Sequence, residues 1–186
     1  MSEKIYLAFC VHSHQPVGNF PSVFEKGAQD CYLPLLRILT EYPDITMTLH
    51  YTGPLWEWFD EHEPEFFTLL HTLVDRSQVE LMGGGFFEPI MPVIPEADAH
   101  DQIEYMSEYL QARFGSRPRG LWCAERIWDP GIPKKISGFG IEYTLLDDSH
   151  FLSAGLSPDD VHGYFITERE GFSLKVFPID MRLRYL

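Results

Sequence analysis

The chain alternates along its whole length between short apolar runs and longer segments whose apolar residues recur at helical spacing. The short runs predict six strands, at 5–11, 46–51, 79–82, 120–122, 143–146 and 174–177. The longer segments predict helices at 23–41, 55–62, 65–76, 96–114 and 130–139. This order predicts an α/β fold with a parallel sheet, because a parallel return needs a crossover long enough to hold a helix.

Polar residues follow the predicted strands again and again. In a barrel the reactive groups gather on loops at the carboxyl ends of the strands, whereas an open sheet concentrates them at one switch point. We therefore expect an incomplete parallel barrel with about six strands, since such barrels run to about 250 residues. Residues 1–186 would form the N-terminal portion of one domain, truncated before closure. The polar groups in question are His12, His14, Gln15, His50, Tyr51, Glu88, Trp122, Glu125, Arg126, Asp147, Asp148, His150 and Asp180.

Composition narrows the classes of function. The 186 residues include 14 basic and 28 acidic side chains, a formal net charge of −14, and 45% are hydrophobic. Such a chain can bury a core, and its charge argues against binding nucleic acid or an anionic membrane surface. The N-terminus has no basic region before its apolar run, so we expect no secretory signal and a cytoplasmic location. Three widely spaced cysteines, Cys10, Cys31 and Cys123, indicate reduced and mostly buried thiols.

The sequence His12-Ser13-His14-Gln15 places two imidazoles two residues apart at the end of the first strand. Both rings can therefore face one side of the sheet. Imidazole nitrogens bind divalent metals, and they also donate and accept hydrogen bonds with sugar hydroxyls. A third interpretation is a pair of buried histidines that bond only to the backbone. The residues alone leave these three open.

The segment 83–89 reads Gly-Gly-Gly-Phe-Phe-Glu-Pro. Glycine permits a sharp turn or a close approach of the backbone to a ligand, and Glu88 supplies a carboxylate. A phosphate-binding loop is not indicated, because no Lys-Ser/Thr pair follows the glycines. A turn without a functional role remains the alternative.

The segment 122–130 is the most informative one, because it flanks a carboxylate with two indoles and an arginine. Indole faces stack on the apolar face of a sugar ring, and Arg126 can hold Glu125 ionised and oriented. An ionised, positioned carboxylate can attack an anomeric carbon. The structural alternative is a Glu–Arg pair near a helix start.

Further along, Asp147 and Asp148 are adjacent, so only one of them can face inward from a strand.

These segments together resemble glycoside hydrolase family 57, in particular its 4-α-glucanotransferase and α-amylase-like members. Residues 12–20 resemble the first motif of the family and 83–89 the second. Residues 122–130 resemble the third motif, which carries the nucleophile, and 143–151 and 176–186 resemble transferase-type members. The resemblance covers the chain from end to end.

The resemblance implies a (β/α)7 barrel that cleaves or transfers α-1,4-glucans with retention of configuration. Glu125 falls on the nucleophile. No cofactor and no metal are implied, and the implied partner is an α-glucan or maltooligosaccharide. The family's general acid/base is an aspartate in a fourth motif, which would lie beyond Leu186, so this polypeptide alone is expected to be inactive. The implied substrate-binding residues are His12, His14, Gln15, Glu88, Trp122, Arg126 and Asp148.

Two rival hypotheses come from other classes. In the first, His12 and His14 bind zinc with a carboxylate such as Asp148 in a metal-dependent barrel hydrolase. In the second, a non-catalytic module binds glucan through Trp122 and Trp128.

Overall fold

The computed structural model describes residues 6–184, which fall into two compact units that divide between Met82 and Gly83. Ile5 of the predicted first strand, and residues 185 and 186 of the segment that resembles the transferases, lie outside the described range. Among residues 6–184, no helix is both long and apolar enough to cross a bilayer.

The first unit is a three-stranded parallel sheet with helices between its strands. The strand order is β1-β2-β3, and His12 of β1 lies opposite His50 of β2. Four of the five β2 residues are buried, which is typical of a parallel strand covered on both faces. The elements are β1 (Cys10–Ser13), α1 (Pro21–Gly27), a π-helical turn (Ala28–Tyr32), α2 (Leu33–Glu41), β2 (Met47–Tyr51), α3 (Gly53–His62), α4 (Pro64–Asp75) and β3 (Val79–Leu81).

Aromatic rings from β2, α3 and α4 build the core of the first unit. Phe59 and Phe66 stack with ring centroids 3.7 Å apart, and the Tyr51 ring meets Phe66 edge to face at 5.2 Å. Leu36, Leu55 and other aliphatic side chains fill the remaining space. Close packing of this kind fixes the end of β2, where His50 and Tyr51 lie.

The second unit contains a four-stranded sheet in the order β4-β5-β7-β6. The pairs β4–β5 and β5–β7 are parallel, and β6 and β7 form an antiparallel hairpin. The helices and strands are α5 (Glu96–Phe114), β4 (Gly120–Leu121), α6 (Ile132–Lys135), β5 (Tyr143–Asp147), α7 (Asp148–Ser153), β6 (Phe165–Arg169), β7 (Phe172–Ile179) and α8 (Met181–Arg184), with 3₁₀ turns at Met91–Val93, Ala124–Arg126 and Pro158–Asp160.

The sequence of helix α5 accounts for where the helix begins and ends. Glu96 and Asp98 lie in its first turn, where acids stabilise the positive end of the helix dipole. The helix stops at Gly115, which takes the left-handed conformation (φ 76°) that glycine adopts most readily. Ile103 and Met106 are buried on the inward face of this helix.

The predicted α/β class with parallel strands is confirmed. All six predicted strands exist, but the first lies later in the chain than expected, at Cys10–Ser13, so His12 is inside the strand and not after it. The predicted helix at 130–139 is only four residues long. Strand β6 was not predicted at all. The prediction that residues 1–186 are the N-terminal portion of one barrel stays a prediction.

Candidate active site

Three histidines cluster at the ends of β1 and β2 in the first unit. The Nδ1 atoms of His12 and His50 are 2.8 Å apart, and their rings stack with centroids 4.9 Å apart. One of these nitrogens must donate and the other accept, so at least one ring is a neutral tautomer. The rings of His12 and His14 lie 6.1 Å apart. His14 is exposed, whereas His50 is buried.

Gln15 is fixed by neighbouring side chains of the first unit. Its carbonyl oxygen accepts a 2.6 Å hydrogen bond from Asn19, and its amide donates to the Tyr32 hydroxyl at 3.3 Å. Its backbone N–H donates to the Thr52 hydroxyl. The half-buried Gln15 therefore shapes the loop after β1.

In the second unit, the backbone of the glycine segment makes close contacts. The Gly83 N–H donates to the Gly120 carbonyl, and the Trp122 N–H donates to the Gly83 carbonyl at 2.7 Å. A Cβ at Gly83 would lie 2.6 Å from Cγ of Pro118, so only glycine fits there without a shift. This close approach brings the segment 83–89 beside β4.

Glu88 is delivered by a tight turn and held by Trp122. Its φ of 54° lies in the left-handed region, and its N–H donates to the Gly85 carbonyl. The Trp122 indole N–H donates to Glu88 Oε1 at 3.0 Å. Gln102 of α5 secures the turn, since its backbone carbonyl and its side-chain oxygen accept the N–H groups of Phe86 and Phe87.

The turn after β4 is the most strained backbone in this unit. Glu125 and Arg126 are consecutive non-glycine residues in the left-handed region, with φ of 51° and 52°. Each such conformation costs on the order of 1–3 kcal/mol, so neighbouring contacts must hold it. The Arg126 N–H donates to the Cys123 carbonyl at 2.7 Å. The Glu125 side chain is 70% exposed, so a ligand can reach its carboxylate.

Arg126 pairs with Asp147 more closely than with Glu125. Its Nε lies 3.4 Å from Asp147 Oδ2, whereas its Nη2 lies 4.0 Å from Glu125 Oε2. The guanidinium carbon is 5.7 Å from the centroid of the Trp122 ring, within range of a cation–π contact. The expectation that Arg126 can hold and orient Glu125 stays a prediction, and Asp147 is a second and nearer partner of Arg126.

The two adjacent aspartates, Asp147 at the end of β5 and Asp148 at the start of α7, face different surroundings, as their spacing predicted. Asp147 faces Arg126, while Asp148 Oδ2 accepts the N–H of Met181 and lines an open cleft of about 340 Å³ with Asp180 and His162. Asp148 was predicted as a site residue from the sequence, and Asp147 was not. Which of two adjacent residues faces the site depends on where β5 ends, and the sequence does not determine that position.

The indoles differ from expectation. Trp122 is only 7% exposed, so little of its ring is open to a ligand. Trp128 packs against the core of the second unit. The hypothesis of a non-catalytic module that binds glucan through Trp122 and Trp128 stays a prediction.

The histidines constrain the metal hypothesis. Because Nδ1 of His12 bonds to His50, a metal would have to be bound through its Nε2. Zinc binding by His12 and His14 with a carboxylate such as Asp148 stays a prediction.

The profile of the family described as "Glycosyl hydrolase family 57" matches residues 8–186. The chain is 43% identical over all of its residues to an α-amylase, "Alpha-amylase 1", of Dictyoglomus thermophilum. It is 42% identical over 184 residues to a 4-alpha-glucanotransferase of Thermococcus litoralis. The chain belongs to glycosyl hydrolase family 57, as the resemblance predicted.

Solved structures agree. The crystal structure of the Thermococcus litoralis 4-alpha-glucanotransferase superposes with a TM-score of 0.94 at 42% identity, covering 98% of this chain and 29% of that one. The α-amylase AmyC of Thermotoga maritima matches at a TM-score of 0.73 and 17% identity, covering 94% of this chain and 45% of that one; this match speaks for the fold alone. The predicted fold class is confirmed. This chain spans 27–28% of the length of the two curated relatives.

Proposed function

We propose that the protein acts on α-1,4-glucans as an amylase or glucanotransferase, by a retaining mechanism in which Glu125 is the nucleophile. Membership of the family supports the substrate class, since relatives at 42–43% identity are an α-amylase and a 4-alpha-glucanotransferase. The observation that carries the proposal is the exposed Glu125 carboxylate on the strained turn directly after β4. Strain of this kind clusters at functional sites.

The proposed reaction has two displacements. The Glu125 carboxylate attacks the anomeric carbon, the bond from that carbon to the glycosidic oxygen breaks, and this oxygen takes a proton from a general acid. A glycosyl ester on Glu125 results. Water or a sugar hydroxyl then attacks the same carbon, gives its proton to the acid/base group, and releases the Glu125 carboxylate. Water gives hydrolysis and a sugar hydroxyl gives transfer.

The remaining predicted residues fit roles in binding sugar. Glu88 is rigidly held by Trp122, which suits a carboxylate that accepts hydrogen bonds from sugar hydroxyls. The exposed ring of His14 offers a donor and an acceptor at the end of β1. We retain the full substrate-binding set as part of the proposal: His12, His14, Gln15, Glu88, Trp122, Arg126 and Asp148.

The general acid/base is proposed to come from outside residues 1–186. Within the second unit, Asp180 is poorly suited to the role, because hydrogen bonds from the Arg182 side chain and from the backbone of Leu183 lower its pKa to about 2. A group with that pKa holds no proton near neutral pH. Without an acid/base, turnover by residues 1–186 alone would fall by about 10²–10⁴. The proposed partner is the α-glucan or maltooligosaccharide that the resemblance implies.

The proposal is tested with Glu125→Ala in the full-length gene product, using maltoheptaose as substrate. We expect turnover to be lost, and sodium azide to restore the release of sugar from α-maltosyl fluoride as the β-azide, because azide occupies the face that the nucleophile leaves. Glu108→Ala, on the exposed side of α5, is the matched control and should keep wild-type rates. Full turnover by Glu125→Ala would overturn the proposal.

A further inference from the structure

Asp147, the last residue of β5, lies between two arginines. Its Oδ2 is 3.4 Å from Nε of Arg126, and its Oδ1 accepts a 2.8 Å hydrogen bond from Nη1 of Arg184. The side chains of Asp147 and Arg126 are only 18% and 16% exposed. Such limited exposure weakens screening by solvent, so the carboxylate holds the Arg126 guanidinium firmly in place.

The same segment also holds the backbone of Arg126. Nε2–H of His150, in α7, donates a 3.0 Å hydrogen bond to the Arg126 carbonyl. The residue that follows Glu125 is thus bound at its side chain by Asp147 and at its main chain by His150. Both contacts come from the stretch 147–150, so β5 and α7 together support the left-handed turn.

Arg126 in turn contacts the groups that surround Glu125. Its guanidinium lies 5.7 Å from the Trp122 ring centroid and 4.0 Å from Glu125 Oε2. A shift of the guanidinium would therefore change both the charge near the Glu125 carboxylate and the turn that carries it. Asp147 is the nearer partner, so it sets where the guanidinium lies.

We propose that Asp147 is a positioning residue for the nucleophile, acting through Arg126. This inference rests on the proposed function, because it assigns Asp147 a role in the chemistry of Glu125. Asp147 touches neither the substrate nor the reacting atoms in this role. It holds the charged neighbour of Glu125 in the geometry that attack on the anomeric carbon requires.

The test compares Asp147→Asn, Arg126→Gln and the double variant in the full-length gene product, with kcat and KM measured on maltoheptaose. Asn keeps the size of the side chain and removes its charge. We expect Asp147→Asn to lower kcat by about 10²-fold, the loss typical of a misplaced reacting group, with KM little changed. The double variant should be no slower than the slower single variant, because each change breaks the Asp147–Arg126 pair through which Asp147 is proposed to act. Asp101→Asn, exposed on α5, is the matched control.

A merely structural role would give another result. It would lower the thermal midpoint and the fraction of active sites while leaving kcat per active site unchanged, and sites can be counted by trapping with 5-fluoro-α-D-glucosyl fluoride. Wild-type kcat per site in Asp147→Asn, or losses that multiply in the double variant, would overturn the inference. If Asp147→Asn does not fold, Arg126→Lys supplies the same test, since lysine keeps the charge and loses the planar fork that meets Asp147. Turnover in Glu125→Ala would instead defeat the proposed function.

Discussion

A hydrogen bond joins two of the proposed site residues, Trp122 and Glu88. It joins a buried indole N–H to a half-buried carboxylate at 3.0 Å. Hydrogen bonds to charged groups contribute about 1.5–3 kcal/mol to stability. Trp122→Phe should therefore lower the free energy of unfolding by at least that amount, as measured by urea denaturation.

Trp58→Phe is the control for this measurement. Trp58 lies on α3 and its ring stacks on His62 with centroids 5.0 Å apart, so the variant makes the same reduction in ring size away from Glu88. Equal losses in the two variants would show that the bond to Glu88 contributes nothing.

The three thiols should differ in reactivity. Burial is the main cause that raises the pKa of Cys10 and of Cys123, in each case to about 12, whereas Cys31 is exposed. At pH 8 a thiol of pKa 12 is ionised to only about one part in 10⁴, so it reacts slowly. Of these three thiols, only Cys31 should react fast with Ellman's reagent, and Cys31→Ser should remove that reaction. Fast labelling of Cys10 or Cys123, identified by peptide mapping, would contradict the raised pKa of that thiol.

Single residues also show where sequence reasoning reaches its limit. Glu125 stands out in the sequence because its neighbours are two tryptophans and an arginine. Asp147 does not, because its importance depends on Arg126 turning toward it through a left-handed backbone. Residues with such φ values have no reliable signature unless they are glycine.

At the scale of elements, the glycine segment depends on the absence of a side chain at Gly85. A Cβ there would lie 2.6 Å from Cδ of Pro89 and 2.7 Å from Cε of Met91. The methionine can move, but the proline ring is stiff. Gly85→Ala should destabilise the protein by about 1–3 kcal/mol, the usual cost of overpacking, as measured by urea denaturation.

Gly163→Ala is the control, because a Cβ at Gly163 meets nothing within 4 Å. We expect a change of no more than about 0.5 kcal/mol there. Equal destabilisation by the two substitutions would refute the role given to Gly85.

Strongly periodic elements were predicted well, and irregular ones were not. The repeat of Ile103, Met106 and Leu110 gave the bounds of α5, Glu96–Phe114, without error. Strand β6 was not predicted because most of its residues are exposed, including the charged residues Glu168 and Arg169. Within residues 6–184 it pairs with β7 alone, as the outer strand of its sheet, so it lacks the apolar run of a central strand.

At the scale of the whole molecule, stability should respond to acid through Glu142. Its carboxylate pairs with Arg119 at 2.7 Å and with Lys175 at 3.4 Å. The hydrogen bond from Arg119 is the main cause that lowers the pKa of Glu142 to about 2. Because the folded pKa lies below the unfolded value, this stabilisation is present above about pH 4.5 and is lost as pH falls toward 2.

Glu142→Gln should therefore make the midpoint of urea unfolding less sensitive to pH between 4.5 and 2. The site is exposed, so the effect should be modest and should shrink in high salt. Glu108→Gln on α5 is the control. An unchanged pH dependence in Glu142→Gln at low salt would show that these ion pairs do not contribute.

The order of the motifs predicted the family, and the match of the family profile to residues 8–186 confirms it. The acidic charge and the strand-end polar groups predicted a class of site, yet only the resemblance pointed to α-glucans. The cytoplasmic location stays a prediction.

The central claim is that Glu125 forms the covalent bond to sugar. The most direct measurement is to incubate the full-length gene product with 5-fluoro-α-D-glucosyl fluoride and to map the labelled peptide by mass spectrometry. We expect one glycosyl adduct, on the peptide that contains Glu125, and none in Glu125→Ala. An adduct on another carboxylate, or steady turnover of maltoheptaose with no adduct under trapping conditions, would contradict it.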